Sequence, residues 1–237
     1  MNQPAETPEQ SSKIVISGTG RAGTTFLVQV LTDLGLDTGF TSAAEGDPRT
    51  RGGLEKDITD PNAPKIVKSP HLSAQLGDLL EAKQVTVEHV IVPIRQLEVA
   101  AASRVRSTSY GKNPGIPGGL FGTSRATRQI ASLATLEYEL FFTIARFDLP
   151  HTILLFPRFA QDWEYTHRKL SFLAPTLPAD RWREVLESRF QPEWVHEAPL
   201  SSRERALASA GTLYQRGIRA PMRAAARVAR GQPARDS

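Results

Sequence analysis

A glycine-rich segment near the start of the chain, Gly18-Thr-Gly-Arg-Ala-Gly-Thr-Thr25, has residue types and spacing suited to binding a phosphate group. It directly follows the apolar run Lys13–Ser17 and directly precedes a helical pattern. A loop between a strand and a helix points several backbone N–H groups and the positive helix end at one place. The segment imitates the nucleotide loop G-x-x-x-x-G-K-[ST], but Thr24 stands where that loop has its lysine, and Arg21 lies inside it. We therefore expect an anion site that includes an arginine.

A metal-dependent nucleoside triphosphatase needs two groups that are missing at the expected places. One is the loop lysine, and the other is an aspartate on a second strand near the Mg²⁺ ion. The best candidate for that strand, His89–Ile94, is followed by Arg95. The pattern thus predicts a site that holds anionic oxygens with fixed cations and without a metal ion. An atypical small-molecule kinase or NTPase is the alternative enzyme class, and a nucleotide-binding module without catalysis is a third interpretation.

The elements that must position these residues follow an α/β pattern. Four apolar runs rich in Val, Ile and Leu predict the strands of a parallel sheet covered on both faces. These runs are Lys13–Ser17, Lys65–Val67, His89–Ile94 and Thr152–Phe156. Helical patterns occupy Thr24–Leu34, Ser73–Leu80, Leu97–Arg106, Arg125–Phe147, Ala160–Leu173, Ala179–Phe190 and Ser202–Gln215. The alternation of strands with crossing helices predicts a three-layer, doubly wound parallel sheet flanked by helices.

Composition indicates one globular domain with a polar start and a basic end. The 237 residues are 40% hydrophobic and 23% charged, as in ordinary globular proteins. We expect a disordered lead-in over residues 1–12, a single α/β domain over 13–215 and an arginine-rich tail over 216–237. From residue 201 onward the net charge is +6 in a chain whose total is +4, so residues 1–200 carry −2. The basic character belongs to the tail, and no nucleic-acid-binding motif accompanies it.

The sequence also lacks cysteines, a signal peptide and a membrane-spanning segment, and each of these excludes a class of protein. With no cysteine, the chain has no disulfide, thiolate catalyst or cysteine-bound metal, which fits a cytoplasmic location. Residues 1–12 lack the apolar core of a signal peptide, and no run approaches the ~18 apolar residues needed to span a membrane. We expect a cytoplasmic protein without a transmembrane segment. The tail is either a solvated, frayed helix, which we favour, or an amphipathic contact with a membrane or an acidic partner.

The loop Gly18–Thr25 resembles the R-[SA]-G-T-[TS] loop of the sulfotransferase superfamily, whose members bind 3′-phosphoadenosine 5′-phosphosulfate (PAPS). A second family signature is an arginine at a strand end and a serine eight positions later, which Arg95 and Ser103 match, with Gln96-Leu97 in place of the usual [DN]-P. The resemblance implies that the loop grips the 5′-phosphosulfate, that Arg21 touches the transferring group and that the Arg/Ser pair binds the 3′-phosphate. The implied cofactor-binding residues are Gly20, Arg21, Ala22, Gly23, Thr24, Thr25, Arg95 and Ser103.

Two further segments resemble family motifs that carry catalysis. Ile66–Leu72 resembles the second-strand motif K-[TSD]-[PH], which implies that Lys68 lies near the sulfuryl group. Pro70 displaces His71 by one position from the catalytic histidine of the K-T-H pattern. The stretch 47–55 resembles N-P-x-G-[YF]-x-E with a longer spacing. The base that takes the acceptor's proton is therefore His71, Glu55 or Glu45, since imidazole and carboxylate groups both serve in this role.

The family motifs span residues 13–107 and imply a P-loop-type fold. They also imply a metal-independent, in-line sulfotransferase that carries a sulfuryl group from PAPS to a hydroxyl or amine. The acceptor is a small molecule or is carbohydrate-like, and the product nucleotide is adenosine 3′,5′-bisphosphate. Arg21 and Lys68 are the candidates for stabilising the charge that develops during transfer. We expect the long loops Thr41–Pro64 and Thr108–Ser124 to shape the acceptor pocket.

Overall fold

The computed structural model describes residues 12–42, 53–109 and 119–192, together with residues 195, 199, 201 and 202. Within these ranges four strands form one sheet in the order β2-β1-β3-β4. The strands are β1 Lys13–Ile16, β2 Ile66–Lys68, β3 Val87–Ile94 and β4 His151–Leu155. The helices are α1 Thr24–Asp33, α2 Leu72–Glu81, α3 Leu97–Ser109, α4 Gln129–Arg146, α5 Arg158–Gln161, α6 Trp163–Leu170 and α7 Ala179–Arg189.

All the strand pairs are parallel, and the central strand β1 is buried on both faces. Val15 of β1 lies opposite Val67 of β2 and Val90 of β3. Successive side chains of a strand point to opposite faces, so Ile14 and Ile16 join one apolar core and Val15 joins the other. A parallel sheet covered in this way needs strands that are apolar at nearly every position. The prediction of an α/β protein with a parallel sheet between helices is confirmed.

Helices cover the two faces in a pattern that follows the strand order. Residues of α1, α6 and α7 pack with Ile14 and Ile16, whereas residues of α2 and α4 pack with Val15. The chain leaves β1 towards β2 but leaves β3 towards β4, so its direction reverses between β1 and β3. In open α/β sheets, the crevice beyond the carboxyl ends of the strands at such a reversal is where ligands bind.

One predicted helix is interrupted in the structure. The pattern over Ala160–Leu173 predicts a continuous helix, but α5 ends at Gln161 and α6 begins at Trp163. Asp162 separates the two, because its carboxylate accepts a hydrogen bond from the backbone N–H of Tyr165 at 2.8 Å. This is the geometry of an N-cap, which begins a new helix instead of continuing the old one.

The remaining described elements lie within a few residues of their predicted bounds. The helix predicted over Arg125–Phe147 begins with a 3-10 turn, Ala126–Arg128, and continues as α4. The predicted helix Ser202–Gln215 lies almost wholly outside the described residues, as do the lead-in up to residue 11 and the tail 216–237. Among the helices of the described ranges, none is long and apolar enough to cross a membrane.

Candidate functional site

The segment 17–23, which follows β1 and is called here the anion loop, turns through three residues of positive φ. The φ angles are 68° at Gly20, 59° at Arg21 and 78° at Gly23. Backbone of this kind can gather successive N–H groups into a concave surface that binds anions. Gly23 is also needed for space, because a Cβ atom there would meet the rings of Phe156 and Phe159. Packing beneath the loop therefore restricts its shape.

Helix α1 begins directly after the anion loop with an uncapped N-terminus. Its N-cap is Gly23, which makes no side-chain hydrogen bond, and the first turn contains no acidic residue. The first N–H groups of a helix have no acceptor within the helix, and the helix dipole makes this end positive. Thr24 and Thr25 lie in this first turn and add two hydroxyl groups. The N-terminus of α1 is thus suited to binding an anion.

Two buried hydroxyl groups tie the anion loop to the segment that follows β2. The Ser17 hydroxyl donates to the carbonyl oxygen of Ser69 at 3.0 Å. In the opposite direction, the Ser73 hydroxyl donates to the carbonyl oxygen of Gly18 at 3.0 Å. Because each bond joins residues more than 50 positions apart, the ends of β1 and β2 are fixed relative to each other.

Three of the predicted cofactor-binding residues meet on the β3 side of the anion loop. We call Arg21, Arg95 and Ser103 the arginine cluster. Arg21 donates from Nε to the Ser103 hydroxyl at 3.0 Å, and Arg95 donates from Nη1 to the carbonyl oxygen of Arg21 at 3.1 Å. Arg95 and Ser103 are only 8% and 5% exposed. The three residues come from the loop, the end of β3 and α3, so the fold itself brings them together.

The second group of predicted residues lies at the end of β2, on the other side of β1. We call Lys68, Glu55 and Thr25 the lysine cluster. Lys68 Nζ donates to the carbonyl oxygen of Gly53 at 2.5 Å, to Glu55 Oε1 at 3.2 Å and to Thr25 Oγ1 at 3.4 Å. The Lys68 side chain is 4% exposed and that of Glu55 is 31% exposed. Burial lowers the pKa of Lys68, while the charge of Glu55 and its hydrogen bond act in the opposite direction.

The position of Glu55 is set by its neighbours in the chain. Leu54 is buried in the same apolar core as α1. The backbone N–H of Lys56 donates to the carbonyl oxygen of Lys68 at 3.3 Å, so residues 54–56 run beside the end of β2. These two attachments hold the carboxylate of Glu55 next to the ammonium group of Lys68.

His71 lies apart from the lysine cluster, at the N-terminal end of α2. Its side chain is exposed, and its ring centroid is 5.3 Å from that of Phe121. His71 and Glu55 nevertheless line the same cavity, which has a volume of about 770 Å³. Cavities of this size typically hold small molecules. Glu45, the third predicted base, lies outside the described residues.

Arg104 is a site residue that the sequence analysis did not identify. It follows Ser103 on α3 and is only 4% exposed. Its Nε and Nη2 donate to the carbonyl oxygen of Thr19 at 3.2 and 2.6 Å, and its Nη1 donates to that of Gly119 at 2.8 Å. Burial, followed by the positive charge of Arg21, lowers the pKa of Arg104 to about 10, so it stays protonated at neutral pH. The sequence does contain a signal for this role. Arg104 follows three alanines and a serine in a covered helix, and a charge in such a place needs polar partners.

In the described part of the chain, no three His, Cys, Asp or Glu side chains form a group that could hold a metal ion. No protein-family model matches the chain, and no curated protein or solved structure matches it either. The function is therefore inferred from the chemistry of the anion loop and its two flanking clusters.

Proposed function

We propose that this protein is a sulfotransferase of the P-loop type that uses PAPS as its sulfuryl donor. The observation that carries the proposal is the placement of cations on both sides of one anion loop, at the point where the strand order reverses. The arginine cluster lies on the β3 side, and the lysine cluster lies on the β2 side. PAPS likewise carries two separate anionic ends, a 3′-phosphate and a 5′-phosphosulfate.

The donor groups at this site fit those two ends. The N–H groups of the anion loop and the N-terminus of α1 suit the oxygens of the phosphosulfate. Arg95 and Ser103 of the arginine cluster suit the 3′-phosphate, because a guanidinium group makes short, charge-assisted hydrogen bonds to phosphate and the Ser103 hydroxyl adds another donor. ATP has no 3′-phosphate, so it would leave the arginine cluster without its anion.

In the proposed reaction, PAPS supplies the sulfuryl group: the acceptor's oxygen or nitrogen forms a bond to sulfur while the bond from sulfur to the phosphate oxygen breaks. The electron pair of the broken bond stays on that phosphate oxygen. Lys68 and Arg21 stabilise the negative charge that develops, and both are held in place before the reaction begins. Cations fixed in advance in this way lower the barrier without reorganising during the reaction.

We propose Glu55 as the base that receives the acceptor's proton, and the cavity of about 770 Å³ as the acceptor pocket. Glu55 lines this cavity and also contacts Lys68, so it connects the acceptor pocket with the proposed sulfuryl position. His71 lines the same cavity, but its ring packs against Phe121. A base must lie within hydrogen-bond reach of the proton it removes, and this geometry favours Glu55.

Calorimetric titration with three nucleotides tests the proposed donor. We expect adenosine 3′,5′-bisphosphate to bind at least about tenfold more tightly than adenosine 5′-monophosphate, because a hydrogen bond to a charged group is worth roughly 1.5–3 kcal/mol. These two ligands differ only in the 3′-phosphate, so each is the control for the other. Tighter binding of Mg-ATP, with no response to the 3′-phosphate, would favour a kinase or NTPase instead.

A turnover assay with labelled PAPS and a broad set of alcohols and amines tests the proposed activity. Transfer of label to at least one acceptor class is expected. If the bisphosphate binds but no acceptor is ever sulfated, the protein is a nucleotide-binding module and the catalytic part of the proposal fails.

A further inference from the structure

The guanidinium group of Arg104 joins the anion loop to a second segment of the chain. Two of its nitrogens donate to the carbonyl oxygen of Thr19, and a third donates to the carbonyl oxygen of Gly119. A carbonyl oxygen directed at a bound anion would repel it. By donating to the Thr19 carbonyl oxygen, Arg104 fixes the direction of one of the carbonyl groups of the anion loop.

The neighbouring glycine makes room for this contact. Gly20 has a φ of 68°, and a Cβ atom at this position would meet Nη2 of Arg104. Both the backbone shape and the missing side chain at Gly20 are therefore matched to the presence of the guanidinium group.

The second segment, residues 119–122, is itself anchored to α4. The backbone N–H of Phe121 donates to Gln129 Oε1 at 3.0 Å, and Gln129 Nε2 donates to the carbonyl oxygen of Phe121 at 2.8 Å. Gln129 is completely buried. The Phe121 ring contacts Arg104, whose Cζ is 5.1 Å from the ring centroid, and it also contacts His71. Arg104 thus links the anion loop, through the ring of Phe121, to His71, which lines the proposed acceptor pocket.

Burial of a guanidinium group is costly, and the positive charge of Arg21 nearby adds to that cost. An apolar side chain of similar size would avoid both penalties. A charged residue is needed if its task is to hold the Thr19 carbonyl.

We propose that Arg104 is a positioning residue that keeps the anion loop in its ligand-binding shape and, through Phe121, couples that shape to the acceptor pocket. The proposal deepens the proposed function and depends on it for the identity of the ligand. The loop shape itself is measurable without any ligand, so the two proposals are tested separately.

The first test compares Arg104→Lys with Arg106→Lys by hydrogen exchange and by calorimetry. Lysine keeps the charge but has a single nitrogen in place of the planar guanidinium fork, whose separate nitrogens reach Thr19 and Gly119. Arg106 lies on the same helix and donates to the carbonyl oxygen of Pro199, which makes it a matched control. In Arg104→Lys we expect faster exchange of the amides of residues 18–23 without ligand, unchanged exchange in β4 and a Kd for the bisphosphate raised about 10²-fold. The control should behave as the wild type.

Each outcome of this test decides one proposal. Unchanged exchange in the anion loop of Arg104→Lys overturns the positioning role, whether or not the nucleotide binds. Faster exchange with an unchanged Kd for the bisphosphate also overturns it, because the loop shape would then not matter for the ligand. A third outcome is that the wild-type protein does not bind the bisphosphate, while residues 18–23 still exchange faster in Arg104→Lys. This result supports the positioning role and overturns the proposed function.

The milder variant Phe121→Leu tests the coupling between the anion loop and the acceptor pocket. It also provides a test if Arg104→Lys does not fold. It leaves the hydrogen bonds of Arg104 in place but removes its aromatic contact, which is worth roughly 1 kcal/mol. We expect slightly faster exchange of residues 18–23 and a Kd for the bisphosphate raised about fivefold. If exchange and Kd both equal those of the wild type, the coupling through Phe121 is wrong.

Discussion

The arginine cluster and the lysine cluster both present cations to one anion loop, but they hold those cations in different ways. In the arginine cluster, Arg95 donates to a backbone carbonyl oxygen and Arg21 donates to a hydroxyl group. In the lysine cluster, Lys68 also donates to a carbonyl oxygen and a hydroxyl group, but it contacts in addition the carboxylate of Glu55, which is partly exposed and lines the cavity. The first arrangement suits an anion that stays bound, and the second suits a step in which charge or a proton moves.

This difference predicts that the two clusters can be separated by mutation. Changes at Arg95 and Ser103 of the arginine cluster should alter nucleotide affinity, and a change at Lys68 of the lysine cluster should alter turnover. The predictions below are tests of that separation.

The largest effect is expected for Glu55→Gln, which keeps the size of the side chain but removes its ability to take a proton. We expect kcat to fall by about 10²–10⁴, the usual contribution of a general base. The matched variant His71→Gln, on the same cavity, should lose less than about tenfold. Steady-state kinetics with both variants measures this. A large loss in His71→Gln with a small one in Glu55→Gln would assign the base to His71.

Lys68→Met should separate turnover from nucleotide binding. We expect kcat to fall by about 10²–10³, as when one group that stabilises developing charge is removed. The Kd for the bisphosphate, which lacks the sulfuryl group, should stay close to that of the wild type. The melting temperature should be measured alongside, because methionine removes the cost of burying an ammonium group but leaves Gly53 and Glu55 without this donor.

The control for this variant is Lys65→Met, near the opposite end of the same strand. Its ammonium group pairs with Glu88 at 2.7 Å, and the two side chains are 39% and 40% exposed. Kinetics like those of the wild type are expected. If Lys68→Met weakened bisphosphate binding as strongly as it slowed turnover, the two clusters would not have separate roles in binding and turnover.

Arg95→Met should have the opposite profile. Loss of a charge-assisted hydrogen bond worth roughly 1.5–3 kcal/mol would raise the Kd for adenosine 3′,5′-bisphosphate about 10- to 150-fold. The Kd for adenosine 5′-monophosphate should hardly change, since this ligand has no 3′-phosphate. Calorimetry with both ligands measures the difference. Equal weakening of both would mean that Arg95 supports the loop without contacting the 3′-phosphate.

The smallest expected effect is on the pH dependence of kcat/KM. Lys68 must be protonated to stabilise negative charge, so activity should fall as the pH rises through its pKa in the folded protein. Burial lowers that pKa, so this alkaline limb should begin below the ordinary lysine value of about 10.4. Lys68→Arg keeps the charge at higher pH and should move the limb upward. An identical limb in both proteins would assign it to another group.

Local patterns in the sequence predicted the elements that surround the anion loop. The run Lys13–Ser17, the glycines after it and the apolar spacing of α1 are all signals within a few residues, and β1 and α1 follow them closely. The eight-residue spacing from Arg95 to Ser103 likewise pairs the end of β3 with the next helix. The N-cap at Asp162 was also a local signal, but the apolar periodicity around it hid the break.

Contacts between distant residues could not be predicted in this way. Arg104 and Thr19 are 85 positions apart, and their contact depends on how α3 packs beside the carboxyl end of β1. Glu55 meets Lys68 only because residues 54–56 run back along β2. His71 was named as a candidate base from its type and its place near the K-T-H pattern, and its contact with Phe121, 50 positions away, could not be read from either. Residue types indicated the chemistry, and packing decided which groups meet.

The site draws its cations from three neighbouring strands, so a bound ligand should stabilise the folded protein. Arg21, Lys68 and Arg95 follow or end three different strands, so the site is complete only when β2, β1 and β3 have paired. A ligand of this site would bind the native state alone and would stabilise it by about 2.7 kcal/mol at a hundredfold excess over its Kd. Resistance to unfolding and proteolysis should therefore rise and fall with the supply of that ligand.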